Sequence, residues 1–155
     1  MIRNTRLVVT AAAVAVLAVG AASVATSSPE GTEAIKARHE AMEKIGDAMG
    51  SLAAIAKKEA PFEAGVVEEK GGAIADGLKG VVALFPEGSE KGDAETWAKP
   101  EIWSDLADFE LKMETARAHA EALESVTEEA AFGPALGKLG NSCKSCHQTY
   151  RRSKH

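Results

Sequence analysis

Apolar side chains recur every seven residues in four stretches of this 155-residue chain, with polar residues between them. A seven-residue repeat keeps one face of an α-helix apolar, so each stretch predicts an amphipathic helix. In the first, Ile35, Met42, Met49 and Ala56 form one row, and Ile45 and Leu52 form a second row headed by Arg38. Pro61 is expected to end that helix. The second stretch carries Val66, Val67, Ile74, Leu78, Val81 and Leu84, tolerates Gly71-Gly72 and stops at Phe85-Pro86-Glu87-Gly88. Residues 86–99 then make the longest loop. Pro100 suits the first turn of a third helix of about six turns. Its rows are Ile102, Phe109, Ala116, Leu123 and Leu106, Met113, Ala120. The fourth starts near Ser125 to Glu128, which have capping-box spacing, and is expected to reset around Gly133-Pro134 before running to the C-terminus. Its rows are Phe132, Leu139, Cys146 and Leu136, Cys143, Tyr150.

Four helices with short connections and heptad stripes predict an all-α fold, a four-helix up-down-up-down antiparallel bundle. No segment shows the period of two that a half-buried strand requires. Both cysteines fall on the inward stripe of the last helix. Any group they carry therefore sits between the helices at one end of the core.

Those cysteines belong to Cys143-Lys144-Ser145-Cys146-His147, the C-x-x-C-H pattern of covalent haem attachment. Each thiol can add to one haem vinyl group, and the histidine is placed to bind the iron. On a helix all three side chains share a face, because the steps are i,i+3 and i,i+4. A thioredoxin-like dithiol needs an α/β context, and no strand-like alternation precedes the motif. A structural zinc site needs four ligands, and His39, His119 and His155 are too scattered to complete one. One covalent haem c is the expected cofactor, with a bare dithiol or an improvised metal site as the remaining options.

The N-terminal end agrees with export. Met1 to Arg6 carries two arginines and no acid, Leu7 to Ala22 is almost wholly apolar, and Ser23-Val24-Ala25 offers small residues for cleavage. Residues 1–25 read as a signal peptide and 26–155 as the mature domain. A retained anchor fits less well, because the apolar run is short and broken by Thr10, Gly20 and Ser23. Bacterial haem attachment to cysteine takes place outside the inner membrane, so signal and motif together point to the periplasm, with no stable membrane association after cleavage. The signal holds two of the 18 basic residues and none of the 23 acids, leaving the mature part with 16 bases and a formal charge of −7. Nucleic acid and anionic lipid are poor partners for such a chain, and a basic patch on a redox partner is a better one.

The chain resembles the class II c-type cytochromes, meaning cytochrome c′ and its low-spin relatives. The resemblance rests on Cys143 to Arg151, similar to C-x-x-C-H-x-x-[YF]-[RK], on the first-helix run Ile35 to Met42, and on Leu84 to Ser89 and Ala98 to Trp103 around the long loop. It covers the whole mature chain. Class I cytochromes c carry the haem motif near the N-terminus, so its C-terminal place here is discriminating.

The resemblance implies that His147 is the proximal iron ligand, that Cys143 and Cys146 are the thioether anchors, and that Arg38 lies near a haem propionate. His39 departs from the glutamine that often follows that arginine. Met42 matches the first-helix position facing the iron, where low-spin members place a ligating thioether, and the run Gly50 to Lys57 is similar to that branch. An open distal site, His39 or water are the alternatives for the sixth position. Ligation by Met42 implies an electron carrier serving redox proteins of a respiratory or photosynthetic chain; an open site implies binding of nitric oxide or carbon monoxide. No distal acid-base pair can be assigned, so no enzymatic activity is expected. Family members often form homodimers through their first two helices.

Overall fold

The computed structural model describes residues 29–153, and the expected signal at 1–25 lies outside the described residues. Helix α1 spans Pro29–Ala56, α2 Ala64–Val81, α3 Glu101–Ser104, α4 Leu106–Glu124 and α5 Glu129–Tyr150. A 3₁₀ turn, Val82–Leu84, follows α2. The four long helices form the expected bundle, α1 and α4 each packing on α2, and α5 on α4 and α1. Among the described residues the only extended pairing is an isolated bridge between Ala98 and Arg151, and no helix is long and apolar enough to cross a membrane.

Most heptad rows point inward. Ile45 and Leu52 of α1, Ile74, Leu78 and Val81 of α2, Phe109, Ala116 and Leu123 of α4, and Phe132, Leu139 and Cys146 of α5 are all buried. In α1 the row through Ala56 departs from expectation: Ala56 is exposed, while Ala48 and Ile55 are buried instead. Helix α1 also ends before Pro61. Lys58 adopts a left-handed φ of 63°, and the amides of Lys58 and Glu59 bond back to Ile55 and Ala54 at 3.0 and 2.9 Å, which satisfies the last carbonyls.

The third expected helix is two. Asp105 leaves the helical region at φ −137° and ψ 60°, and its carboxylate accepts the Asp108 amide at 3.3 Å, capping α4. Ile102 of α3 takes the core position at this end, so Leu106, expected inward, is 41% exposed. The fourth helix runs unbroken through Pro134, which has no amide hydrogen to donate to Ala130 and leaves one turn without its bond. Ser125 does not open it; Ser125 closes α4, its hydroxyl donating to Glu121 O at 3.2 Å.

Gly71 and Gly88 show why glycine is needed at a close approach and at a turn. A Cβ on Gly71 would lie 2.7 Å from the Glu124 nitrogen, so its absence lets α2 close on α4. In the turn from Pro86 to Ser89, closed by Ser89 N donating to Pro86 O at 3.2 Å, Gly88 has φ +84°, the conformation a type II turn reserves for glycine.

Candidate haem site

Helices α1 and α5 and the long loop surround one cavity of about 560 Å³. The last two turns of α5 contribute Cys143, Cys146, His147 and Tyr150, α1 contributes Arg38, His39, Met42 and Met49, and the loop contributes Trp97. The sequence-predicted site residues are therefore brought together. Cys146 is buried and Cys143 half-buried. Burial pushes the Cys146 thiol up to about 11 and raises that of Cys143. His147 is exposed at the cavity, and partial desolvation of its ring and then nearby Arg151 lower its pKa, favouring the neutral imidazole that a metal binds.

Arg38 is 3% exposed. One terminal nitrogen donates to Ser89 Oγ at 3.2 Å, and the other donates to Ser89 O at 3.0 Å and Thr96 Oγ1 at 2.8 Å. Its guanidinium lies 4.9 Å from the Phe85 ring centre and 5.6 Å from that of Trp103. Desolvation lowers its pKa to about 10, against the pull of Glu90, so it stays charged at neutral pH. The loop that holds it is itself fixed, because Pro86 O accepts from Ser89 Oγ at 2.8 Å and from Trp103 Nε1 at 3.0 Å. That gives Trp103 a polar anchor beyond packing.

The other end of the loop is pinned to the end of α5. Lys99 Nζ donates to the carbonyls of Gln148 and Thr149 at 3.2 and 2.9 Å, and its amide to that of Tyr150 at 2.9 Å. Lys99 thus caps the negative end of the haem-motif helix from a distant loop. Arg152 N donates to Trp97 O at 2.8 Å, His39 stacks on the Trp97 ring at 5.4 Å, and the Arg151 guanidinium lies 5.4 Å from the same ring centre. His39, Trp97 and Arg151 form one clamp at the cavity mouth. Below it Tyr150 is held edge-on to Phe109 at 5.3 Å and donates to Asp108 at 2.7 Å.

The residues fit a haem. The cavity lies within the roughly 300–1,000 Å³ of cofactor sites. Arg38 Nε is buried with no partner, a donor suited to a carboxylate such as a propionate. Gly46 and Gly140 line the cavity from α1 and α5, and a Cβ at either would meet nothing within 4 Å, which leaves width between the helices. The histidine nitrogen and methionine sulfur are ligands that haem iron accepts. No group of three His, Cys, Asp or Glu among the described residues could hold a metal ion unaided. Three methionines line the cavity, Met42, Met49 and Met113; the heptad rows carried all three, and only the family resemblance singled out Met42.

Comparison with known proteins agrees. The family profile for cytochrome c′ matches residues 33–151. Cytochrome c-556 of Agrobacterium fabrum is 38% identical over 122 residues, spanning 77% of this chain and 82% of that protein. The solved structure of Rhodopseudomonas palustris cytochrome c′ superposes with a TM-score of 0.74 at 35% identity, covering 79% of this chain and 98% of that one. A nitric oxide complex of a mutant cytochrome c′ from Alcaligenes xylosoxidans superposes at 0.71 with 28% identity, covering 81% and 98%. A C-terminal haem motif, a cavity shaped between α1 and α5, and these matches lead to one conclusion: the chain belongs to the cytochrome c′ family of class II c-type cytochromes and carries one covalent haem c.

Proposed function

We propose that the protein carries single electrons in the periplasm, with His147 and Met42 as axial ligands of its haem iron. The observation that supports this most is the register of α1 against α5. His39 and Arg151 meet on Trp97, so they mark one level of the bundle. From that level Met42 is three residues along α1 and His147 four residues back along antiparallel α5, about 4.5 and 6 Å at the helical rise. The two side chains line the same cavity from opposite helices at similar depth. Met49 is about 10 Å deeper than Met42 by the same measure.

Haem between an imidazole and a thioether supplies a one-electron iron couple whose reduced state the soft sulfur favours. Around it the chain holds the end of the His147 helix in place. Lys99 secures the end of α5, Tyr150 and Phe109 pack beneath Cys146, and Arg38 offsets propionate charge. Such rigidity suits electron transfer, which needs little rearrangement when both axial positions are filled. The partners are redox proteins of a respiratory or photosynthetic chain, and no substrate-converting residue is assigned.

A second reading is gas binding at an open distal face. It is favoured by the likeness to a protein whose structure is a nitric oxide complex, and by Met42 being only half-buried in the cavity wall. A reduced-minus-oxidised absorption spectrum of the holoprotein separates the two. Narrow low-spin bands with a distinct α band and slow carbon monoxide binding support the carrier; broad high-spin bands and rapid carbon monoxide binding support the alternative.

A further inference from the structure

Charge is divided unevenly between neighbouring helices of this acidic protein. Residues 101–128, with α3 and α4, contain eight acids and two bases, whereas residues 129–153 of α5 and its tail contain four bases and one acid, Glu129 at the first position of the helix. Both bases of α4 are paired, Lys112 with Asp108 at 3.7 Å and Arg117 with Glu114 and Glu121. Those of α5, Lys138, Lys144, Arg151 and Arg152, are all exposed. Among the described residues none of the four has a carboxylate within salt-bridge distance.

Complementing the helix dipole accounts for Arg151 and Arg152, which sit at the C-terminal end, but that effect fades within the last turn and does not reach Lys144 or Lys138. Lys144 and Arg151 instead flank His147 at i−3 and i+4. The exposed margin of the haem-bearing helix beside the cavity mouth is therefore basic.

We propose that the exposed face of α5 around Lys138, Lys144 and Arg151 is the docking surface for an acidic face of an electron-transfer protein, although the mature chain as a whole is acidic. The redox nature of the partner rests on the carrier reading above. The physical basis is screening. At physiological salt the Debye length is about 8 Å, so a surface approaching α5 feels the exposed cations on that helix more than the acids on the far side of α4; the α4 acid that does reach α5, Asp108, is hydrogen-bonded to Tyr150 at 2.7 Å and paired with Lys112 at 3.7 Å. The same acids repel an acidic partner that approaches from the α4 side, which orients the encounter. Docking on α5 brings the partner against the helix bearing Cys143, Cys146 and His147.

The test is stopped-flow oxidation of the ferrous holoprotein by ferricyanide, a small anionic probe, from about 10 to about 150 mM salt. The rate is expected to fall severalfold as salt rises, which is the response of a locally positive electron exit. Lys138→Glu combined with Lys144→Glu should turn that fall into a rise. Lys57→Glu combined with Lys79→Glu changes the net charge equally at exposed sites away from α5 and should leave the parent trend in place. A parent rate that rises with salt would overturn the proposal, as would identical behaviour of the two double variants, since overall charge then governs approach. Haem content confirms that Lys144→Glu has not impaired attachment, and Lys138→Glu alone should weaken the trend if it has. The sign of the salt trend is read at any absolute rate and in either spin state, so a high-spin spectrum that sank the carrier reading would leave this readout intact.

Discussion

Replacing Gly71 by alanine is expected to destabilise the bundle by about 2 kcal/mol, against the usual gain from that change in a helix. A Cβ at Gly71 lies 2.7 Å from the Glu124 nitrogen, 2.8 Å from its Cα and 3.1 Å from its Cβ. The first two are backbone atoms at the end of α4 and cannot rotate away, so α2 and α4 must separate by several tenths of an ångström. Overpacking of this kind typically costs about 1–3 kcal/mol. With the upper value for a backbone clash, and about 1 kcal/mol recovered from helix propensity, the net cost is about 2 kcal/mol. Gly50→Ala in α1 isolates the propensity, because a Cβ there meets nothing within 4 Å. It should stabilise by about 1 kcal/mol. At roughly 3 °C per kcal/mol for a domain of this size, Tm should fall by about 6 °C for Gly71→Ala and rise by about 3 °C for Gly50→Ala, followed by far-ultraviolet circular dichroism. A Gly71→Ala protein as stable as its parent would refute the argument that close approach of α2 to α4 demands glycine.

Arg38→Leu removes a buried positive charge beside the haem cavity and should lower the reduction potential by the equivalent of about 1–2 kcal/mol, tens of millivolts, in a redox titration; an unchanged potential in a folded variant would detach Arg38 from the haem. Tyr150, the only tyrosine, has its phenol pKa raised by burial and then by Asp108. The folded state thus favours the neutral phenol, so its contribution is complete below about pH 10 and is lost above it at up to about 1.4 kcal/mol per pH unit. Denaturant titrations between about pH 10 and about pH 11.5 should show the parent losing stability faster than Tyr150→Phe, and parallel declines would contradict the shift. Lys58→Gly relieves a left-handed backbone at the end of α1 and should stabilise by about 1 kcal/mol in the same denaturant assay at neutral pH, with no gain counting against the strain.

The haem-binding end was legible because its signal is local. C-x-x-C-H lies within five residues, and heptad spacing alone put Arg38, Met42, Cys143 and Cys146 on inward faces. The break at Asp105 escaped for a physical reason: Ile102 and Phe109 remain seven apart across it, so the apolar rows run on through a cap that interrupts the backbone. Capping was the weakest inference. Ser125 and Glu128 have capping-box spacing, yet Ser125 closes the preceding helix, and Lys58 ends α1 in a conformation for which glycine would have been the sequence sign. Lys99 and Trp97 were beyond reach, since the carbonyls and rings they meet lie about 50 residues away in sequence for Lys99 and on two different elements for Trp97. Arg38 could be placed on its helix face, but its partners Ser89 and Thr96 come from a loop whose path no periodicity encodes.

Electron paramagnetic resonance of the ferric protein beside its Met42→Ala and Met49→Ala variants tests the ligation on which the carrier role depends. The expected result is a low-spin parent, a high-spin Met42→Ala protein whose ferrous form binds carbon monoxide far faster than the parent, and a Met49→Ala protein that loses packing stability and stays low-spin. A high-spin parent, or a spin change that follows Met49 instead of Met42, would contradict it.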